Sequence, residues 1–277
     1  MAKFGELKAY LDAGKRETRL IGAVERHILV QPFDERRQDI LHPSDLIKPE
    51  WCALAAFHAL NGNYVETRER PGLRLRSIFD EGHAIHAKWQ GYLKDMGILY
   101  GVWGKKDNWG LASENKNLDY LEVPLSSPKH KIYGHSDGWI KGLGEDFLIE
   151  IKSIGSGTIR MEAPSLISGT DLEGAWKNIR QPFRTHILQG QVYLHLAHLM
   201  VEAGTLESAP KDIVFIYELK ANQDYKEFVV AYNPEYSAPF FEAALDVVWA
   251  SENNRPPACS INPVVGCKRC EPFRGEK

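Results

Sequence analysis

The sequence lacks the features that would place the chain in a membrane or leave it unfolded. No uncharged apolar run approaches the roughly 20 residues that a membrane-spanning helix needs, and residues 1–17 contain no apolar signal-peptide core. Internal repeats and low-complexity segments are also absent. With 43% hydrophobic and 26% charged residues, the composition is that of an ordinary globular protein. We therefore expect a folded, cytoplasmic protein without a membrane partner.

The chain also lacks a strong excess of either charge. Its 34 Lys and Arg residues against 37 Asp and Glu residues give a formal net charge of −3. Such a chain has no overall electrostatic attraction to nucleic acid, so DNA binding would depend on local basic patches or on a bound metal. Net charge alone neither favours nor excludes a DNA-binding function.

The distribution of apolar residues predicts a mixed sheet with flanking helices, in an α/β or α+β domain. Spacing typical of helices recurs in four segments, at about 51–60, 75–96, 178–203 and 238–251. Short apolar stretches bounded by Gly, Pro and Asn predict strands, including those at 132–141, 146–154, 213–219 and 226–232. Residues 142–145 form the kind of short, Gly-rich connection that joins antiparallel strands, whereas residues 155–177 are predicted to form a polar loop.

The length of 277 residues suits one large domain or a catalytic domain with a small appendage. We expect three parts: residues 1–50 form a peripheral helical cap, residues 51–251 form the core, and residues 252–277 form a cysteine-bearing tail.

Charged residues on the predicted hairpin indicate chemistry. Asp137 precedes the turn, and Glu150 and Lys152 follow it. Strand alternation places Glu150 and Lys152 on one face and Ile149 and Ile151 on the other, apolar face. Charges within an apolar strand need one another or an ion, and two carboxylates with a backbone carbonyl suit Mg²⁺ or Mn²⁺. With an ammonium beside the ion to orient a water molecule, this group favours phosphodiester hydrolysis; an ordinary salt-bridged strand pair is the alternative.

Two predicted helices carry further candidates. His86 lies in the segment Gly-His-Ala-Ile-His of the 75–96 helix. Gln189 and Tyr193, four residues apart, share one face of the 178–203 helix. Taken singly, the histidine is more often an ordinary core or surface residue, and the Gln189 and Tyr193 pair is better explained by an amphipathic core helix with Tyr at its rim.

Four cysteines, Cys52, Cys259, Cys267 and Cys270, predict a second site. In a cytosolic chain, four cysteines with a terminal CxxC pair indicate a metal or cluster site more than disulfides. A Zn²⁺ ion bound by four thiolates and a [4Fe–4S] cluster are both compatible with these ligands.

In their order along the chain, these motifs resemble a known family. Asp137 and the Glu150-Ile151-Lys152 tripeptide are similar to the core of the PD-(D/E)xK nuclease superfamily. The His86 segment and the QxxxY pattern of Gln189 and Tyr193 resemble motifs of its RecB-like exonuclease branch. One cysteine before this core and three behind it resemble the iron–sulfur members, which include CRISPR-associated and phage exonucleases.

The resemblance covers about residues 44–270 and implies a restriction-endonuclease-like core. It implies metal ligation by His86, Asp137, Glu150 and the backbone of Ile151, with Lys152, Gln189 and Tyr193 completing the catalytic group. It also implies that a [4Fe–4S] cluster, or Zn²⁺ as the alternative, joins the cysteine tail to the N-terminal helices. The implied ligands of this cluster or ion are Cys52, Cys259, Cys267 and Cys270.

The expected function is a metal-dependent exodeoxyribonuclease that acts on single-stranded DNA or DNA ends in recombination, repair or CRISPR adaptation. A recombinase or CRISPR adaptation proteins would be its protein partners. A structure-specific endonuclease and a catalytically silent, zinc-stapled DNA-binding module are the alternatives. Because the sequence has no GxxxxGK[ST] motif, helicase activity would need a partner.

Overall fold

The computed structural model describes residues 19–31, 36–64 and 71–273. The described chain separates into two compact units. The smaller unit contains residues 19–31, 36 and 71–81, and includes helix α1 (Arg19–Val30). The larger unit contains residues 37–64 and 82–273. Residues 1–18, 32–35 and 274–277 of the expected cap and tail lie outside the described residues, and the three-part division stays a prediction.

The helices beyond α1 follow in chain order. They are α2 (Pro43–Leu46), α3 (Ala53–Leu60), α4 (Leu73–Asp95), α5 (Ser156–Glu162), α6 (Pro164–Ile167), α7 (Leu172–Asn178), α8 (Arg184–Glu202) and α9 (Pro234–Glu252). The four helices predicted from apolar spacing correspond to α3, α4, α8 and α9. Helix α8 begins later than predicted, because Pro182 disfavours helical backbone at the residue before it.

The prediction of a polar loop at 155–177 was wrong. This segment forms the three short helices α5, α6 and α7. Ile159 and Trp176 are buried in the main hydrophobic core, and the carboxylate of Asp171 caps α7 by accepting a hydrogen bond from the Gly174 N–H at 2.7 Å. Burial of these few apolar residues stabilises helices whose polar surroundings indicated a loop.

In the part of the chain that the structure describes, eight strands form two sheets. They are β1 (Leu99–Val102), β2 (Trp109–Leu111), β3 (Val123–Ser127), β4 (Ile132–Ser136), β5 (Gly138–Ile140), β6 (Phe147–Ile154), β7 (Asp212–Leu219) and β8 (Tyr225–Ala231). Six of them form a mixed sheet in the order β2-β1-β5-β6-β7-β8, in which β6 and β7 are parallel and the other neighbours antiparallel. Strands β3 and β4 form a separate antiparallel pair. The predicted fold class, a mixed sheet with flanking helices, is confirmed.

Each face of the six-stranded sheet is covered by a long helix. Helix α8 packs on one face, where Val192 and Leu196 join Phe215 in the larger core. The part of helix α4 that belongs to the larger unit packs on the other face, where Ile85 joins Ile149 and Ile151. This arrangement sets the apolar side of β6 against α4 and leaves the opposite side of β6 facing α8.

Strand alternation along β6 is as predicted. Ile149 and Ile151 point into the α4 core, whereas Leu148 and Ile154 point into the α8 core. Glu150 and Lys152 therefore lie on the α8 side of the sheet. Among the described residues, no helix combines the length and apolar character that crossing a membrane requires.

Candidate active site

A break between β4 and β5 positions Asp137. The sequence predicted one strand over 132–141, but β4 pairs with β3 and β5 pairs with β6, and Asp137 lies between the two strands. The Ser136 hydroxyl holds the break by donating to the carbonyl of Ile149 at 2.8 Å. Asp137 thereby leaves the regular ladder at a point enclosed by the rest of the fold, and only 7% of its surface is exposed.

The Asp137 carboxylate replaces a strand partner of β6. Pairing between β5 and β6 ends at Gly138 and Ile149, so the N–H of Ile151 has no β5 residue opposite it. It donates instead to Oδ2 of Asp137 at 2.6 Å. Because the N–H and C=O of one strand residue point to the same edge, the carbonyl of Ile151 is directed to the Asp137 side.

His86 of α4 meets the other oxygen of this carboxylate. Its Nδ1 lies 3.1 Å from Oδ1 of Asp137. Burial lowers the pKa of His86, but the hydrogen bond and negative charge of Asp137 outweigh this effect, so the pKa is raised overall. The fold therefore brings together His86 and Asp137, which are 51 residues apart in the sequence.

Glu150 and Lys152 form a buried ion pair on the α8 side of β6. The Nζ atom of Lys152 donates to Glu150 at 2.6 Å, and the Glu150 residue is 3% exposed. Burial raises the pKa of Glu150 to about 7; the Lys152 charge opposes this rise and the Asp137 charge adds to it. Burial lowers the pKa of Lys152, but the Glu150 and Asp137 charges outweigh burial and raise it overall.

Helix α8 contacts the same lysine. The Lys152 ammonium donates to Oε1 of Gln189 at 3.0 Å, and the Gln189 amide donates to the hydroxyl of Tyr193 at 3.0 Å. The four-residue spacing of Gln189 and Tyr193 along α8 makes this second contact possible. A continuous chain of hydrogen bonds thus runs from Glu150 through Lys152 and Gln189 to Tyr193.

The donor set suits a hard divalent cation. Asp137 and Glu150 offer carboxylate oxygens, Ile151 a carbonyl and His86 an imidazole, which are the ligand types that Mg²⁺ and Mn²⁺ accept. Within the described residues, these side chains are less compact than the four cysteines, whose ligand atoms all lie within 4.8 Å of one another.

Three site residues were not found from the sequence. Gln90 Nε2 and the Tyr120 hydroxyl both donate to the carbonyl of Asp137, at 3.0 and 3.2 Å. Gln90 lies four residues after His86, so helical spacing could have indicated it.

Glu122 is the third missed residue, and no sequence signal pointed to it. The pairing of Val123 with Ser136 places Glu122 beside Asp137, with a left-handed backbone at φ 70°. Burial, followed by the charge of Asp137, raises the pKa of Glu122 to about 7, and the Gln90 side chain hydrogen-bonds to its carboxylate. A strained backbone beside a group of charged residues is typical of functional sites.

His186, three residues before Gln189, fixes the start of α8 against the sheet. Its Nδ1 hydrogen-bonds with the hydroxyl of Tyr217, which also accepts from the N–H of Phe183 at 2.8 Å. Burial, assisted by the charge of Lys152, lowers the pKa of His186 to about 3. A neutral His186 thus supports the helix that carries Gln189.

The four cysteines meet as the sequence predicted. The sulfurs of Cys52 and Cys259 are 3.7 Å apart, and those of Cys267 and Cys270 are 3.8 Å apart. All four are free thiols, and three of them are at most 2% exposed, with Cys267 half-buried. These cysteines lie close enough together to hold a metal ion.

Burial and backbone hydrogen bonds shift the pKa values of two of these thiols in opposite directions. Burial raises the pKa of Cys52 to about 12. Burial also raises the pKa of Cys259, but the backbone N–H groups of Asn262 and Ile261 outweigh it and lower this pKa to about 6. The Asn262 N–H lies 3.4 Å from the Cys259 sulfur.

Further contacts hold the tail on the segment that precedes and includes α3. The hydroxyl of Ser260 donates to the carbonyl of Trp51 at 2.9 Å and accepts from the N–H of Ala53 at 3.0 Å. The rings of His58 and Phe273 stack with centroids 4.2 Å apart. The expected closure of the tail on the Cys52 region is confirmed.

No family model matches the chain, and no curated protein matches it. Among solved structures, the chain is similar to an alkaline exonuclease, LHK-Exo from Laribacter hongkongensis, with 12% identity over 79% of this chain and 91% of that chain. The TM-score for that structure is 0.41. The structure of LHK-Exo in complex with dAMP gives a TM-score of 0.45 at the same identity and coverage. It is also similar to SSO0001, with 15% identity, a TM-score of 0.37 and coverage of 83% and 84%. These likenesses are too distant to assign an activity to this chain.

Proposed function

We propose that the protein is a metal-dependent deoxyribonuclease of the RecB-like PD-(D/E)xK type, an exonuclease that hydrolyses single-stranded DNA or DNA ends. The observation that supports this most directly is the meeting of Asp137, Glu150 and Lys152 around the end of the β5–β6 ladder. His86 contacts this group from α4 and Gln189 contacts it from α8. An ordinary salt bridge needs two of these residues and leaves the convergence of the others unexplained.

His86, Asp137, Glu150 and the carbonyl of Ile151 would hold the cation. When bound, Mg²⁺ or Mn²⁺ supplies Lewis acidity, which polarises the phosphate and makes a water molecule easier to deprotonate. Asp137 is oriented for this role by the Ile151 N–H, and its backbone is fixed by Gln90.

Lys152 would act on the reacting groups. Glu150 and Gln189 fix its ammonium from two sides, so the group is oriented before substrate arrives. A fixed cation next to the scissile phosphate orients the attacking water and stabilises the negative charge that develops on the phosphoryl oxygens. Tyr193 has a positioning role, because it holds the Gln189 amide that contacts Lys152.

We further propose that this reaction serves recombination, repair or CRISPR adaptation, with a recombinase or CRISPR adaptation proteins as partners. The family resemblance supports this setting. It also implies a [4Fe–4S] cluster at the four cysteines, with Zn²⁺ as the alternative, in a structural role.

The test is degradation of end-labelled linear single-stranded DNA with Mn²⁺ by wild type, Asp137→Asn and Asp146→Asn. Asp146 is a matched control, because it is an acidic residue at the turn end of the same hairpin that pairs with Lys141 at 3.5 Å. We expect Asp137→Asn to lose cleavage by about a hundredfold or more and Asp146→Asn to keep it. Equal cleavage by both variants would contradict the proposed site.

A circular single-stranded substrate separates the remaining alternatives. An exonuclease leaves it intact, whereas a structure-specific endonuclease linearises it. Binding of linear DNA without cleavage by wild type, in the presence of Mn²⁺, would instead identify a catalytically silent binding module.

A further inference from the structure

We infer that the four cysteines bind a single tetrahedral Zn²⁺ ion and that the site does not fit a [4Fe–4S] cluster. This inference concerns Cys52, Cys259, Cys267 and Cys270 and is independent of the proposed nuclease activity. It departs from the cluster that the family resemblance implies.

The spacing of the sulfur atoms carries the inference. In a tetrahedral site with Zn–S bonds of about 2.3 Å, any two ligand sulfurs are roughly 3.8 Å apart. The Cys52–Cys259 and Cys267–Cys270 sulfur pairs are 3.7 and 3.8 Å apart, and all four sulfurs lie within 4.8 Å of one another. These two pairs therefore have the edge length of a zinc tetrahedron.

A cluster requires a wider arrangement of the same ligands. In a [4Fe–4S] cluster, each thiolate binds a different iron atom, and four sulfides lie between the irons. The cysteine sulfurs must then stand farther apart than four sulfurs that share one ion. Four sulfurs confined within 4.8 Å enclose room for one ion and leave none for eight cluster atoms.

The groups around the sulfurs also suit a closed structural zinc site. Backbone N–H groups donate to two of them, from Asn262 to Cys259 at 3.4 Å and from Cys267 to Cys270 at 3.3 Å. Such hydrogen bonds stabilise thiolates and orient them toward the metal. Apolar Leu54 and Ala55 pack around the buried sulfurs and limit access of water.

The ion would fix a long-range connection. Cys52 precedes α3 and is 207 residues from Cys259, so one ion bound by both closes a loop of that length. Short-range ligands on the tail, Cys267 and Cys270, then complete the coordination. A structural role follows, because four protein ligands leave no open coordination position for a substrate.

The test uses the full chain, purified without oxygen and without added metal. Elemental analysis, an acid-labile sulfide assay and zinc-edge X-ray absorption are measured on the same preparation. We expect about one zinc per chain, no stoichiometric iron or sulfide, a colourless solution and a shell of four sulfurs at about 2.3 Å from zinc. Four irons and four sulfides per chain in a brown solution would overturn the inference, as would a folded, metal-free chain with four reactive thiols.

Two variants distinguish the effect of losing a thiolate ligand from the effect of losing hydrogen bonds that hold the tail. Cys267→Ser removes the half-buried ligand, whereas Ser260→Ala removes the hydrogen bonds to Trp51 and Ala53 and leaves all four thiols. We expect Cys267→Ser to weaken zinc binding by more than about a hundredfold. Mutating a residue that only hydrogen-bonds to a metal ligand already lowers metal affinity by about 10–100-fold. Ser260→Ala should retain its zinc during dialysis against a chelator. Equal retention by Cys267→Ser and wild type would overturn the inference, and the X-ray absorption of wild type decides the case if this variant does not fold.

Discussion

Replacing Lys152 by methionine separates a catalytic lysine from a structural one, because a second lysine, Lys88, also pairs with a buried carboxylate and serves for comparison. Lys88 donates to Glu218 at 2.5 Å, with side-chain exposures of 34% and 2%. Lys152 donates to Glu150 at 2.6 Å, with side-chain exposures of 18% and 4%. Methionine keeps most of the aliphatic volume at either position and removes the charge.

The two variants should lose similar stability. Removing one partner of a buried ion pair costs about 3–5 kcal/mol when the other charge stays unpaired. We expect the loss of unfolding free energy to lie toward the lower end of this range for both variants. Glu150, whose pKa burial raises to about 7, can take up a proton, and Glu218 keeps the hydrogen bond from the Trp89 indole at 2.7 Å.

The two variants should differ in cleavage. The Lys152 ammonium contacts both Glu150 and Gln189 within the proposed site, so its loss should slow DNA cleavage by about 10²–10³-fold. Lys88→Met should cleave at the wild-type rate once the folded fraction is taken into account. Single-turnover cleavage of end-labelled DNA with saturating Mn²⁺, together with urea unfolding of each variant, measures both effects. The reasoning is refuted if Lys152→Met cleaves as wild type, or if both variants are slowed equally at the same folded fraction.

Three further predictions concern residues around the site. Glu122→Gln keeps a hydrogen-bonding side chain but removes a negative charge, so Mn²⁺ affinity measured by calorimetry should fall by about tenfold, and an unchanged affinity would contradict this. Gly138→Ala places a Cβ atom 2.7 Å from a leucine methyl and 2.9 Å from an isoleucine methyl, so urea unfolding should show a loss of about 1–3 kcal/mol, and a neutral effect would argue against the tight contact. The pKa of His186 is about 3 in the folded state against 6.5 ordinarily, so the unfolded state binds the proton more readily and the unfolding free energy should fall as pH drops from about 6.5 toward 3. His186→Gln should flatten part of this decline in urea titrations at several pH values, and an unaltered slope would contradict the assignment.

Features with a short sequence period could be predicted from the sequence. The two-residue period of a strand places Glu150 and Lys152 opposite Ile149, and the structure has this alternation. The helical period places Gln189 and Tyr193 on one face of α8, and their side chains are hydrogen-bonded. These relations depend on neighbouring residues and therefore needed no knowledge of the fold.

Features that depend on distant contacts could not be predicted. The helices at 155–177 form because Ile159 and Trp176 are buried by residues elsewhere in the chain. Glu122 joins the site only because β3 pairs with β4 and brings it beside Asp137. Neither effect leaves a signal in the local sequence.

The sequence by itself determined the types of chemistry available to this protein: oxygen and imidazole ligands with a lysine on one hairpin and two helices, and four thiols at the two ends of the core. The tertiary structure decided their geometry. It interrupted the predicted strand at Asp137, so that this carboxylate binds the Ile151 N–H, and it set the sulfurs of Cys52 and Cys259 3.7 Å apart. Distances between residues far apart in the chain are fixed by packing and strand register, and the identity of a bound metal depends on those distances.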